Sequence, residues 1–241
     1  THAVLLAAVD EHHPVQIRVA SRHANRAEIL VAAYDLFGEF SIITGLMTAY
    51  GLNIRDGQVF SYHRGPGRAT PWGTAPGGLI VDVFTVEYTA ERPFDSTAQA
   101  AFTAQLTSLI QQLRAGQLQE ARASLSGQII DTMRTAPQAF SAHLFPVEIA
   151  IDNEASADWT VVHIHADDTP AFLYSLSNAL AMRDIYIYRV NIASTLGKVH
   201  DEIFVRWRRG GKITSAAGQR ELHFMVMLIK QFTHFLTVAP D

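Results

Sequence analysis

Pro14-Val15-Gln16-Ile17 returns 132 residues later as Pro146-Val147-Glu148-Ile149, and the surroundings of the two stretches return with it. Asp35, after the apolar run AEILVAAY, has a counterpart in Asp168, after TVVHIHAD. Ile54 in YGLNI matches Ile187 in RDIYI, and Asp82 in LIVDVFTV matches Asp201 in KVHDEIFV. Four anchors in the same order mean two copies of one unit. The last pair is closer in sequence than the others because the first copy carries a Pro- and Gly-rich insertion, residues 62–78.

Each copy reads as the same series of elements. Short β-branched runs predict strands at 15–20, 28–34, 55–62 and 79–88, and again at 147–151, 160–166, 188–194 and 199–207. Apolar residues at helical spacing (Phe40, Ile43, Met47 and Tyr50; Phe172, Leu176 and Leu180) predict helices over 38–50 and 171–182. Further helices are expected at 97–114 and 219–235, with an extra one at 117–134 that ends before Pro137. The series is an α+β sandwich of ferredoxin-like type, an antiparallel sheet with two helices on one face. Little chain follows the last helix of each copy, so the strand completing each sheet is expected to precede the unit, joined by a hairpin. The tail FLTVAP is a rival for that strand. The division expected is a leader stub at 1–13, a first unit at 14–115, a helical linker at 116–145 and a second unit at 146–241.

Composition bounds the function. The chain has 241 residues, 48% hydrophobic and 17% charged, with a net charge of −4. That balance suits a packed globular protein and gives no global attraction to nucleic acid or an acidic membrane. With no Cys, thiolate catalysis, disulfides and Cys-bound zinc are excluded, in keeping with a cytoplasmic location. No apolar run approaches the ~20 residues of a membrane span.

The stretch PVEIAIDNEASADWTVVHIHADDTPAFLYSLSNALAMRDIYIYRVNIASTLGKVHDEIFV resembles the second of two ACT domains in bacterial PII uridylyltransferases. GGKITSAAGQRELHFMVMLI is similar to their last helix, and YDLFGEFSIITGLMTAYGLNIRDGQVF to the first ACT domain. Related glutamine synthetase adenylyltransferase-like proteins carry a similar pair. The resemblance implies a regulatory pair that senses an amino acid, glutamine in the uridylyltransferases, and biases a separate catalytic nucleotidyltransferase domain, in the same or another chain. No nucleophile–base arrangement or nucleotidyltransferase signature is visible in the residues, so no catalytic residue, cofactor or metal is expected in this chain, and the partners expected are a homo-oligomer mate and no nucleic acid or membrane. The rival reading is a degenerate pair acting only as an interaction or dimerisation scaffold.

Carried over residue by residue, the implied ligand site is Asp35, Phe37, Gly38, Glu39, Asn53 and Ile54 in the first copy, and Asp168, Pro170, Ala171 and Ile187 in the second. The chemistry is that of a strand-to-helix loop, whose backbone N–H groups suit a carboxylate and whose Asp suits an amine. Both copies depart from the family's D-R-P-G-L pattern. Phe37 and Glu39 replace its Pro and Leu, and Ala171 replaces its Gly, so the first copy, which keeps Gly38 and Asn53, is the better candidate. The alternative is that both loops are only helix starts, where Asp is a common cap.

Other groups carry weaker signals. His163, His165 and His200 fall on neighbouring strands and have the chemistry of a zinc site, but no carboxylate at zinc spacing accompanies them. The basic run 206–212 (RWRRGGK) fits a solvated turn better than a nucleic-acid contact. Asp82 and Asp201 sit in different copies, which fits a repeated structural role better than a catalytic pair.

Overall fold

In the computed structural model, residues 2–23, 25–62, 78–135, 147–195 and 197–235 are described. The elements run α1(His2–Ala7), β1(Val15–His23), β2(Arg26–Tyr34), α2(Glu39–Ala49), β3(Asn53–Tyr62), β4(Leu79–Glu87), α3(Ser96–Arg114), α4(Leu118–Thr135), β5(Glu148–Asp152), β6(Thr160–Asp167), α5(Phe172–Met182), β7(Ile185–Thr195), β8(Lys198–Trp207) and α6(Ala216–Phe235). The first repeat's sheet is ordered β1-β2-β4-β3 and the second's β5-β6-β8-β7. Every pairing is antiparallel, and the preceding strand completes each sheet, β1 against β2 and β5 against β6. This is the ferredoxin-like order with the chain starting one strand early.

Both repeats bury the residues their patterns put inside. Ile29, Val31, Ile80 and Phe84 point from the first sheet onto Ile43, Met47, Phe102 and Leu106 of α2 and α3. Val162, Ile164, Ile203 and Val205 meet Phe172, Leu176, Leu222 and Val226 of α5 and α6 in the same way. Asp95 caps α3 by accepting from the amide of Ala98 at 2.9 Å, and Ser215 serves α6 through Gly218 at 3.1 Å.

Three features go beyond the sequence reading. First, the two sheets merge: β3 pairs with β7, giving one eight-stranded sheet, and the buried cores run together beneath it. The register sets Gln58 opposite Asn191, and in the helix layer Thr44 Oγ1 lies 3.4 Å from Ser177 Oγ. Each of these pairs is a residue and its own repeat counterpart, 133 positions apart, so a pseudo-two-fold axis passes through both. Gly57 allows the close approach: a Cβ there would lie 2.9 Å from Ile192 and Phe84. Second, α4 packs on α2, burying Ala121, Leu125 and Ile129, and is part of the fold as well as a connection. Third, residues 1–13 contain α1, whose Leu5 and Leu6, with Val9, cover Ala32, Leu79 and Val81 on the face of the sheet away from the other helices. The Pro- and Gly-rich loop, apart from Tyr62 and Gly78, lies outside the described residues, as does FLTVAP beyond Phe235.

Candidate functional site

The two strand-to-helix loops are built alike. The amide of Asp35 donates to Gly78 O at 3.0 Å and that of Asp168 to Gly197 O at 2.8 Å, tying each loop to the strand beside it. The residue before each helix is left-handed, Gly38 at φ 89° and Ala171 at φ 58°. Glycine reaches that region freely; alanine reaches it at a cost of about 1 kcal/mol. The family's Gly position is therefore a backbone requirement that Ala171 meets under strain. The N-cap residues are Gly38 and Ala171 themselves, which offer no side-chain hydrogen bond to their helices.

Across the pseudo-axis each loop meets the other repeat. Asp168 accepts from Arg55 Nη1 at 2.5 Å and from Asn53 Nδ2 at 3.5 Å, and Arg55 Nε also lies 3.1 Å from Glu87. Asp35 accepts from the Tyr186 hydroxyl, 2.9 and 2.8 Å from its two oxygens. Asn53 and Tyr186 are repeat counterparts, so one relationship is used twice with different chemistry.

The two loops differ in access. In the first repeat Asp35 and Glu39 are buried, Leu118 of α4 lies where a Gly38 side chain would project, and the Arg208 guanidinium stacks 4.3 Å over Phe37. In the second, a narrow cavity of about 30 Å³ lies between the Asp168 loop and the first repeat. Thr44, Thr48, Asn53 and Ile54 line one side; Asp168, Thr169, Ala171 and Tyr174 line the other; Ser194 and Asp201 close the base. Of the ten residues expected at a ligand site, Asn53, Ile54, Asp168 and Ala171 line this cavity. Pro170 is exposed at its edge and Ile187 is half-buried on β7. Asp35, Phe37, Gly38 and Glu39 gather at the closed first loop.

Several polar groups here were not picked out from sequence. Ser194 Oγ is buried and has no hydrogen-bond partner among the described residues. Lys230 of α6 is buried; its Nζ donates to Thr169 Oγ1 at 3.0 Å and sits 4.0 Å from the centre of the Phe172 ring. Burial lowers the Lys230 ammonium to about 8 against the pull of Asp168 and Asp201. Burial raises Asp201 to about 7, with Lys230 holding it lower than burial alone would. The sequence signal that finds Lys230 is the repeat itself: with the caps Asp95 and Ser215 aligned, it occupies the place of Ile110, a lysine at a core position.

The weaker candidates resolve into structure. His163 Nδ1 lies 3.5 Å from Glu202 and His165 Nδ1 3.6 Å from Glu148, with the His165 and His200 rings 4.1 Å apart. Among the described residues no group of three has metal-holding geometry. In the basic run, Arg206 stacks 4.2 Å over Trp159, and Lys212 Nζ donates to the carbonyls of Asn153 at 2.6 Å and Ser156 at 3.0 Å. IDNEAS has a comparable role: Asn153 Nδ2 donates to Ile213 O at 3.1 Å and its Oδ1 accepts from Thr160 at 2.7 Å, fixing the turn before α6. No helix among the described residues is long and apolar enough to cross a membrane.

The chain is similar to bifunctional uridylyltransferase/uridylyl-removing enzymes. With that of Azospirillum brasilense it shares 29% identity over 78% of this chain and 18% of the relative. With that of Ruegeria pomeroyi it shares 28% over 83% of this chain and 19% of the relative. The chain thus spans about a fifth of the length of these relatives. Aspartate kinase from Synechocystis superposes over 87% of this chain and 27% of its own, with a TM-score of 0.39 and 12% identity. No family model matches the chain.

Proposed function

We propose that this chain is a regulatory ACT-type pair that binds an amino acid, glutamine first among candidates, in the cavity between Asp168 and Asn53, and transmits its occupancy to a nucleotidyltransferase catalytic domain. The observation that carries the reading is the position of that cavity. Its walls come from both repeats, so a ligand filling it contacts both and favours one relative arrangement over another. At about 30 Å³ the cavity has room for about one water, so a guest of amino-acid size enters by displacing the Arg55–Asp168 ion pair beside it and parting the two repeats. The Asp168 carboxylate then takes the ligand ammonium, and Asn53, Thr48 and Ser194 offer hydrogen bonds to its polar end. The similarity to part of the uridylyltransferase/uridylyl-removing enzymes supports a role beside a nucleotidyltransferase domain; within the proposal that role belongs to nitrogen control in the cytoplasm, with no catalytic step in this chain.

Titration calorimetry with each of the common amino acids at millimolar concentration tests the reading. Heat with glutamine, lost in Asp168→Ala and kept in Asp35→Ala, supports it. No heat with any of them leaves the scaffold reading in its place.

A further inference from the structure

Asp35, Glu39 and Asp82 bring three carboxyl groups together from the end of β2, the start of α2 and the middle of β4. They are 2%, 4% and 0% exposed. Neither oxygen of Asp82 has a hydrogen-bond partner among the described residues. Tyr186 reaches in from the second repeat and donates its one hydroxyl proton to Asp35, which is therefore the acceptor. In the second repeat the oxygens of Asp201, the counterpart of Asp82, likewise have no hydrogen-bond partner among the described residues, but a cation stands near them. Asp168 and Asp201 both act on the Lys230 ammonium, and Asp168 also pairs with Arg55. The first repeat has Ile110 in place of Lys230 and an additional carboxyl, Glu39, where the second has Phe172.

Among the described residues neither Glu39 nor Asp82 has an ion pair, and the Arg208 guanidinium of the second repeat lies over Phe37 of the same loop. Among those residues the charges acting on Glu39 are Asp35 and Asp82, on Asp82 it is Asp35, and on Tyr186 they are Asp35 and Glu39. From α4, Leu118 covers Gly38, and the Arg122 guanidinium is acted on by Tyr174 of α5. Three carboxylates desolvated together repel one another, and the state of lower energy keeps protons on some of them.

We propose that this trio is a proton-held latch between the two repeats: Asp35 accepts from the Tyr186 hydroxyl, Glu39 and Asp82 each hold a proton, and loss of either proton loosens the contact. Burial raises both, with Asp35 adding to each and Asp82 also acting on Glu39. The sign follows from linkage. A carboxyl raised in the folded state gives its full stability below its unfolded value, near pH 4, and loses it as pH rises toward the folded one. Over that range each group changes the unfolding constant about tenfold per pH unit.

The test is proton release on unfolding at pH 7, followed in weakly buffered solution. The wild-type chain is expected to release about two protons more than the Glu39→Gln/Asp82→Asn double variant, and about one more than Asp82→Asn alone. Hydrogen exchange of Gly57–Phe60, corrected for the intrinsic rate, should quicken with pH in the wild type and stay flat in the variants. Equal release in wild type and variants overturns the proposal. Should the variants fail to fold, carboxyl-carbon NMR of the wild type decides: Glu39 and Asp82 both protonated at pH 7 supports it, and either one ionised overturns it. A wild-type chain whose pH response disappears on adding magnesium or calcium also overturns it, in favour of a metal.

Discussion

Arg55, on the first repeat, holds Asp168, on the second, with Nη1 2.5 Å from Oδ2. Both side chains are partly shielded, and Arg55 is steadied from behind by Glu87. A pair so placed is worth about 1–2 kcal/mol. Arg55→Ala is expected to lower the urea midpoint accordingly without changing its slope. Because the pair stands beside the cavity, the same change should raise the association rate of any ligand taken up there, measured by stopped-flow fluorescence.

A second prediction concerns the two loop positions with left-handed backbone. Ala171→Gly relieves strain and should stabilise the chain by about 0.5–1 kcal/mol, part of the relief being offset by the freer unfolded chain. Gly38→Ala imposes the same strain and also sets a methyl 3.0 Å from Leu118, so it should cost about 1–3 kcal/mol. Urea denaturation of the two variants checks both signs.

The buried pair Lys230 and Asp201 gives a pH signature of its own. Asp201, raised to about 7, loses its contribution as pH climbs from near 4 to 7. Lys230, lowered to about 8, works the other way: between pH 8 and ~10 the unfolded chain binds the extra proton, so stability rises with pH there. Lys230→Met should abolish that alkaline rise and push the Asp201 carboxyl above 7, since the ammonium that holds it down is gone. A carboxyl-carbon NMR titration reads the second effect directly.

Much of this architecture was legible because period-2 and period-3.6 patterns are local and were written twice. Val15, Ile29 and Leu106 announce their elements without reference to anything distant. The edge-to-edge union of the sheets was not legible. Gln58 and Asn191 meet at its centre, and neither residue type marks a strand as an inner one. The cavity was half legible: the loop positions Asp168 and Ala171 follow from the family pattern, but their partners Thr44 and Arg55 come from the other repeat, and only the pseudo-two-fold arrangement brings them there. The choice of the first loop as the better candidate rested on Gly38 and Asn53. Sequence showed no sign that Leu118 would cover Gly38, or that Asn53 would serve the second loop by donating to Asp168. The short apolar segment before β1 read as a leader because six helical residues are too few to show a period.

The claim on which the functional reading turns is that the space between the repeats is a receptor site. Amide and methyl NMR of the 241-residue chain titrated with glutamine tests it most directly. The account predicts saturable shifts concentrated at Thr44, Asn53, Ile54, Thr169 and Ala171, on both sides of the pseudo-axis. Shifts confined to another surface, such as the open sheet face around His163 and His200, would contradict it.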